Sequence, residues 1–196
     1  MKTLLRLAND AQDVLDSLRA LDFLAPLAIR LYLAPVFWMA GMSKLLGFDG
    51  VVEWFGNDDW GLGLPFPVLL AALATATELA GAVLLLAGLG VRWICIPLIV
   101  TMLVAIFAVH WPNGWSTIAS ASDPGIDERL EYARGVLQEH TDYAWLTAKG
   151  GFVILQNGVE FAVTYLVMLL ALFFTGGGRY LSLDYWLAER WRGRQV

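Results

Sequence analysis

The sequence predicts an all-α integral membrane protein. It reads as a four-helix transmembrane bundle with an amphipathic interfacial helix at the N-terminal end and a short outer-face helix in the 3–4 loop. Three observations lead there. Of 196 residues, 58% are hydrophobic and only 16% are charged, whereas a soluble domain ordinarily holds about 45–50% apolar residues. Four apolar stretches approach the length of about 20 residues that a helix needs to cross the hydrocarbon of a bilayer. Lysine and arginine are distributed unevenly between the segments that flank those stretches.

The first element is the interfacial helix, residues 3–23. Leu4, Leu7, Ala11, Val14, Leu18 and Leu21 recur at spacings of three and four, the pattern of a helix with one apolar face. A helix docked on a soluble partner would show the same periodicity. Asp10, Asp13, Asp16 and Asp22 leave this region without the apolar core of a cleavable leader.

The four spans are placed at about 24–47, 66–90, 93–111 and 152–175, in one domain covering residues 1–196. The second carries Glu78 as its only charge, and Val91-Arg92 separates it from the third, which predicts a tight hairpin. Lys2, Arg6, Arg19, Arg92, Arg179, Arg190, Arg192 and Arg194 would all lie on one side of the membrane. The 1–2 loop has no Lys or Arg, and the 3–4 loop has Arg129, Arg134 and Lys149. The excess of positive residues predicts that both termini are cytoplasmic. The outer loop, about 112–151, is too long for a bare connector. Asp123-Pro124 resembles an N-cap followed by proline in the first turn, and Ile126, Leu130, Ala133 and Leu137 form an apolar stripe. That helix is either a lid over the bundle, a platform for a partner protein on the outer face, or loop filling.

Five titratable residues fall within or at the edges of the spans: Arg30, Lys44, Glu78, His110 and Glu160. A charge in hydrocarbon is costly and persists where it faces the protein interior and is paired. Counting depth along each helix predicts an outer cluster of Lys44, His110 and Glu160, joined by Asn157 and Gln156, and a deeper pair of Arg30 with Glu78. Two readings follow. The charges either pin helix register, or they line a polar pocket that binds the head of a lipophilic ligand or relays protons.

Other chemistries find little support. One cysteine, Cys95, excludes an internal disulfide, and His110 and His140 are the only histidines, at no metal-site spacing. Met39 and Met42 suit packing. No phosphate-loop or dinucleotide motif is present, and no basic stripe outside the C-terminal tail suits nucleic acid. Ala72, Ala76 and Ala80 form a small-residue face suited to another helix, within the chain or in a homo-oligomer.

One set of residues is familiar by its order. Arg30, Gly41-Met-Ser-Lys44, Gly63-Leu-Pro65, Glu78-Leu-Ala-Gly81 with Gly88 and Arg92, Ala105 through His110, Glu160, and Thr175 through Tyr180 leading to Ser182-Leu-Asp184 follow one another along the chain. In this order the chain resembles the DoxX family of small bacterial membrane proteins, from Arg30 to about Trp186. The resemblance implies a four-helix protein of the bacterial inner membrane. Some family members look like subunits of thiosulfate–quinone oxidoreductases, and others are linked to redox, thiol or metal stress. Relatives with a long loop are associated with small metal-binding peptides. It therefore implies an accessory subunit of a redox or stress-response system, with quinone as the expected lipophile at Arg30, Lys44, Glu78, His110, Asn157 and Glu160. The alternative is a non-catalytic interaction protein that recruits a partner through its outer loop.

Overall fold

The computed structural model describes residues 12–13, 15–120 and 124–192, and they form an all-helical fold. Residues 3–11 and 14 of the expected helix at 3–23 lie outside the described residues. Its remainder is helical at 12–13 and 15–17 and ends in a 3-10 turn, Leu18–Leu21. Asp123, expected as an N-cap, also lies outside them.

The helices are α1 (Leu24–Leu46), α2 (Phe48–Gly56), α3 (Pro67–Ala87), α4 (Val91–Val104), α5 (Pro124–His140), α6 (Tyr143–Thr147), α7 (Glu160–Thr175) and α8 (Leu183–Arg192). A π-helical segment, Ala105–His110, and a 3-10 turn, Trp111–Asn113, continue α4. Among the described residues, three helices are long and apolar enough to cross a membrane: Leu24–Leu46, Pro67–Ala87 and Val91–Asn113.

The fourth apolar helix is shorter than the stretch expected at 152–175. It begins at Glu160 and has 16 residues, about 24 Å of helix. Residues 154–160 pair instead with residues 114–119. Ala119 N–H donates to Ile154 O, Gln156 N–H to Thr117 O, Gly158 N–H to Ser116 O and Glu160 N–H to Trp115 O. Asn157 at φ 60 breaks any helix there. The 1–2 loop holds α2, whose Phe48, Val51, Val52 and Phe55 recur at helical spacing; Phe55 is buried.

The fold consists of two units. The first comprises Met1–Thr101 with Leu166–Val196, and the second Met102–Tyr165. In the first, α1 packs on α3. The inward stripe of α1 is Pro26, Arg30, Leu33, Ala34, Phe37 and Gly41. That of α3 is Ala71, Thr75, Glu78, Gly81, Ala82 and Leu85. Both stripes follow the three-and-four spacing of a buried helix face. Leu31, Val68, Leu73, Val83, Leu86 and Val100 stay exposed, as a lipid-facing surface requires. Ala72, Ala76 and Ala80 are exposed too. The α3 helix ends at Gly88, φ 66, where Leu89 N–H returns to Leu84 O and satisfies a terminal carbonyl.

In the second unit, α5 buries Leu130 on the stripe expected for it. Asp142 caps α6 by accepting from Trp145 N–H at 3.1 Å.

Candidate functional site

The position of Lys44 follows from a glycine one turn earlier. A β-carbon at Gly41 would come within 2.8 Å of Leu79 Cγ, so only glycine lets α1 approach α3 this closely. Gly81 plays the same part toward Leu98 of α4. Leu79 adjoins Glu78, and the close approach brings Lys44 Nζ within 2.8 Å of both Glu78 carboxylate oxygens. The Glu78 side chain is 3% exposed and that of Lys44 26%. Distances this short suit an ionised pair. An ammonium carries three N–H donors. Two are directed at Glu78, and the third is left on a group that retains some access from outside the helix pair.

The expected pairing of Glu78 with Arg30 is therefore replaced. Arg30 is fully buried and turns to the chain's C-terminal segment. Its Nη1 donates to Gly177 O at 2.9 Å and its Nη2 to Leu181 O at 2.7 Å. Gly88 lies against the guanidinium, and an added β-carbon would overlap Nη1. Ser182 Oγ donates to Gly88 O at 2.8 Å, and Asp184 accepts from Gly90 N–H and Val91 N–H. Arg30 thus ties residues 177–181 to α1, and Ser182 and Asp184 tie the same segment to the α3–α4 turn. In the sequence Ser182 and Asp184 stand out only as part of the DoxX-like pattern. Depth counting missed the guanidinium's partners because backbone carbonyls leave no trace in residue types.

The second unit gathers His110, Asn157 and Glu160, with Gln156 nearby. His110 Nδ1 lies 2.8 Å from Asn157 O. A carbonyl only accepts, so Nδ1 is the donor in this contact. Asn113 Nδ2 donates to the same oxygen at 3.2 Å, and Gln156 Nε2 donates to Asn113 O at 2.8 Å. Glu160 Oε2 accepts from Thr117 N–H at 3.1 Å. The Thr117 hydroxyl is buried without a partner. The six residues expected at the site thus fall into three local arrangements. Lys44 and Glu78 meet, Arg30 fastens the C-terminal segment, and His110, Asn157 and Glu160 belong to one polar neighbourhood. No group of three or more metal-ligating side chains occurs among the described residues.

Residues 25–111 match the DoxX family model. The inner membrane protein YphA of Escherichia coli (strain K12) is 29% identical over 118 residues, 57% of this chain and 79% of that protein. CatD of Bacillus subtilis (strain 168), named as a candidate oxidoreductase, is 32% identical over 83 residues, 42% of this chain and 58% of that protein. No solved structure matches the chain significantly. The stretch that holds Arg30, Lys44, Glu78 and His110 is the stretch that matches, and over residues 25–111 this membrane protein is similar to the DoxX family.

Proposed function

We propose that this chain is an accessory inner-membrane subunit of a redox or stress-response system, and that Lys44 and Glu78 hold the carbonyl-bearing head of a quinone-like lipophile. The observation that carries the proposal is the third N–H of Lys44. It sits on an ammonium clamped by a buried carboxylate, and it suits donation to a ligand carbonyl. Glu78 is the group beside that carbonyl able to exchange a proton. With one cysteine in the chain, electrons for a bound quinone would come from a partner protein. The name of CatD is in keeping with a redox setting. In this reading α7 supplies a fourth crossing despite its length, by local thinning of the bilayer, and both termini face the cytoplasm.

The test is mass spectrometry of the lipophilic molecules that copurify with the chain in mild detergent, beside Lys44→Ala and Glu78→Gln variants that still fold. A quinone retained by the parent and lost from both variants is the expected result. Equal retention in all three would overturn the reading.

A second reading rests on α5. This helix leaves Tyr132 78% exposed and Val136 42% exposed, in a loop that the first reading does not use. It makes the chain a recruiter of a protein on the outer face. Photocrosslinking from position 132 would capture a discrete partner, and a Tyr132→Ser/Val136→Ser variant would lose it. Identical capture by the variant would exclude this role.

A further inference from the structure

A second candidate site lies in the first unit, at the turn between α3 and α4. Gly90, Arg92, Trp93, Gly176, Gly177 and Asp184 line a cleft of about 250 Å³. Arg92 Nη2 donates to Phe174 O at 2.8 Å, which holds the guanidinium beside the cleft. One of its five donors is used there. Gly176, at φ 77, adopts the left-handed backbone conformation that favours glycine. Asp184 Oδ1 accepts from Gly90 N–H at 2.7 Å and Oδ2 from Val91 N–H at 3.0 Å. Each carboxylate oxygen keeps a further lone pair. A cation and an anion, both anchored to backbone, thus line one small cleft.

The surroundings of the cleft are those of a bilayer interface. Trp93 is 79% exposed, and Ile96 and Val100 continue an exposed apolar strip along α4. Leu183, Trp186, Leu187 and Trp191 of α8 are exposed at helical spacing. Exposed tryptophans at the end of an apolar span belong at headgroup level, and a helix with such a stripe lies in the interface.

We propose that the cleft seats the headgroup of a zwitterionic phospholipid bearing a primary amine. Its phosphate meets the Arg92 guanidinium and its ammonium meets Asp184, and the acyl chains run past Trp93 along α4. Guanidinium and phosphate match as paired donors and acceptors. An anionic headgroup without an amine would face Asp184 without compensation. A quaternary ammonium has no N–H to donate.

The test uses the full chain in detergent, mixed with equal amounts of phosphatidylethanolamine, phosphatidylcholine and phosphatidylglycerol, and reads bound lipid by native mass spectrometry. Phosphatidylethanolamine is expected to dominate. Arg92→Gln is expected to lower its retention about tenfold, the ratio for losing one charge-assisted hydrogen bond. Equal binding of the three lipids by the parent, or unchanged retention by Arg92→Gln, would overturn the proposal. Displacement of the lipid by millimolar inorganic phosphate would also overturn it, because the site would then serve a free anion. If Arg92→Gln does not fold, Trp93→Ala at an exposed position replaces it. That variant is expected to retain less phosphatidylethanolamine, because the acyl chains lose their contact with the indole, and unchanged retention would count against the site.

Discussion

At the scale of single residues, Glu78 is the most exacting position. Its carboxylate is 3% exposed and both oxygens depend on Lys44. Removing one partner of a buried pair leaves an uncompensated charge, at a cost of about 3–5 kcal/mol. Lys44→Ala is therefore expected to destabilise the chain by about that much in detergent unfolding. A Lys44→Met/Glu78→Met double variant should recover most of the loss. If single and double variants unfold alike, the pair does not govern stability. Arg30 makes a second prediction. Lysine cannot reach two carbonyls in the fixed fork of a guanidinium, so Arg30→Lys should lose one bond of about 1.5–3 kcal/mol. Limited proteolysis would show it as earlier cleavage between Gly176 and Ser182. These charges were legible in the sequence because an ionisable residue within an apolar run stands out. Their pairing was not. Depth along a helix follows from counting at about 1.5 Å per residue, but the direction in which Lys44 points depends on how α1 meets α3. That is decided at Gly41 and Leu79.

At the scale of elements, Gly41 and Asn157 are the informative positions. Gly41→Val would drive a branched side chain into Leu79. Overpacking of this kind costs about 1–3 kcal/mol, and it should also separate Lys44 from Glu78. The expected signature is a variant that unfolds earlier and, if the proposed site is correct, loses the same lipophile as Lys44→Ala. Asn157 occupies the left-handed region at φ 60, where an ordinary side chain costs about 1–2 kcal/mol. Asn157→Gly is expected to be nearly neutral and Asn157→Ala destabilising, as read by thermal unfolding. Three of the long apolar helices were legible within a few residues. The fourth was placed eight residues early, at 152 instead of 160. Phe152, Val153, Ile154 and Leu155 are as apolar as a span, and hydropathy alone does not separate a helix from an extended segment. The β-branched pair Val153-Ile154 and the following Asn157-Gly158 carried the contrary signal. In the same way α2 was hidden in a loop, because its nine residues fall short of any span.

At the scale of the whole molecule, the question is which way the chain crosses the bilayer. Cys95 is fully buried, so the native chain offers little background to a thiol reagent that cannot cross membranes. A cysteine introduced at Asp59 should be labelled from outside intact cells, and one introduced at Val196 only after lysis. The reverse result would invert the topology and with it the assignment of the outer loop. Composition made the membrane class legible early, since no packing detail is needed to see that the apolar residues exceed what a core requires. The ordering of residues 114–119 against 154–160 was not legible, because it rests on backbone hydrogen bonds between segments about forty residues apart. The π-helical segment Ala105–His110 has a consequence of its own. Such a turn holds one residue more than the α-turn it replaces. A single-codon deletion within it would restore a continuous α-helix and swing His110 by about 100° around the axis, away from Asn157 O. The apolar length of the span would barely change. Natural variants of this protein could therefore gain or lose the histidine's present setting through one small indel, with membrane insertion left intact.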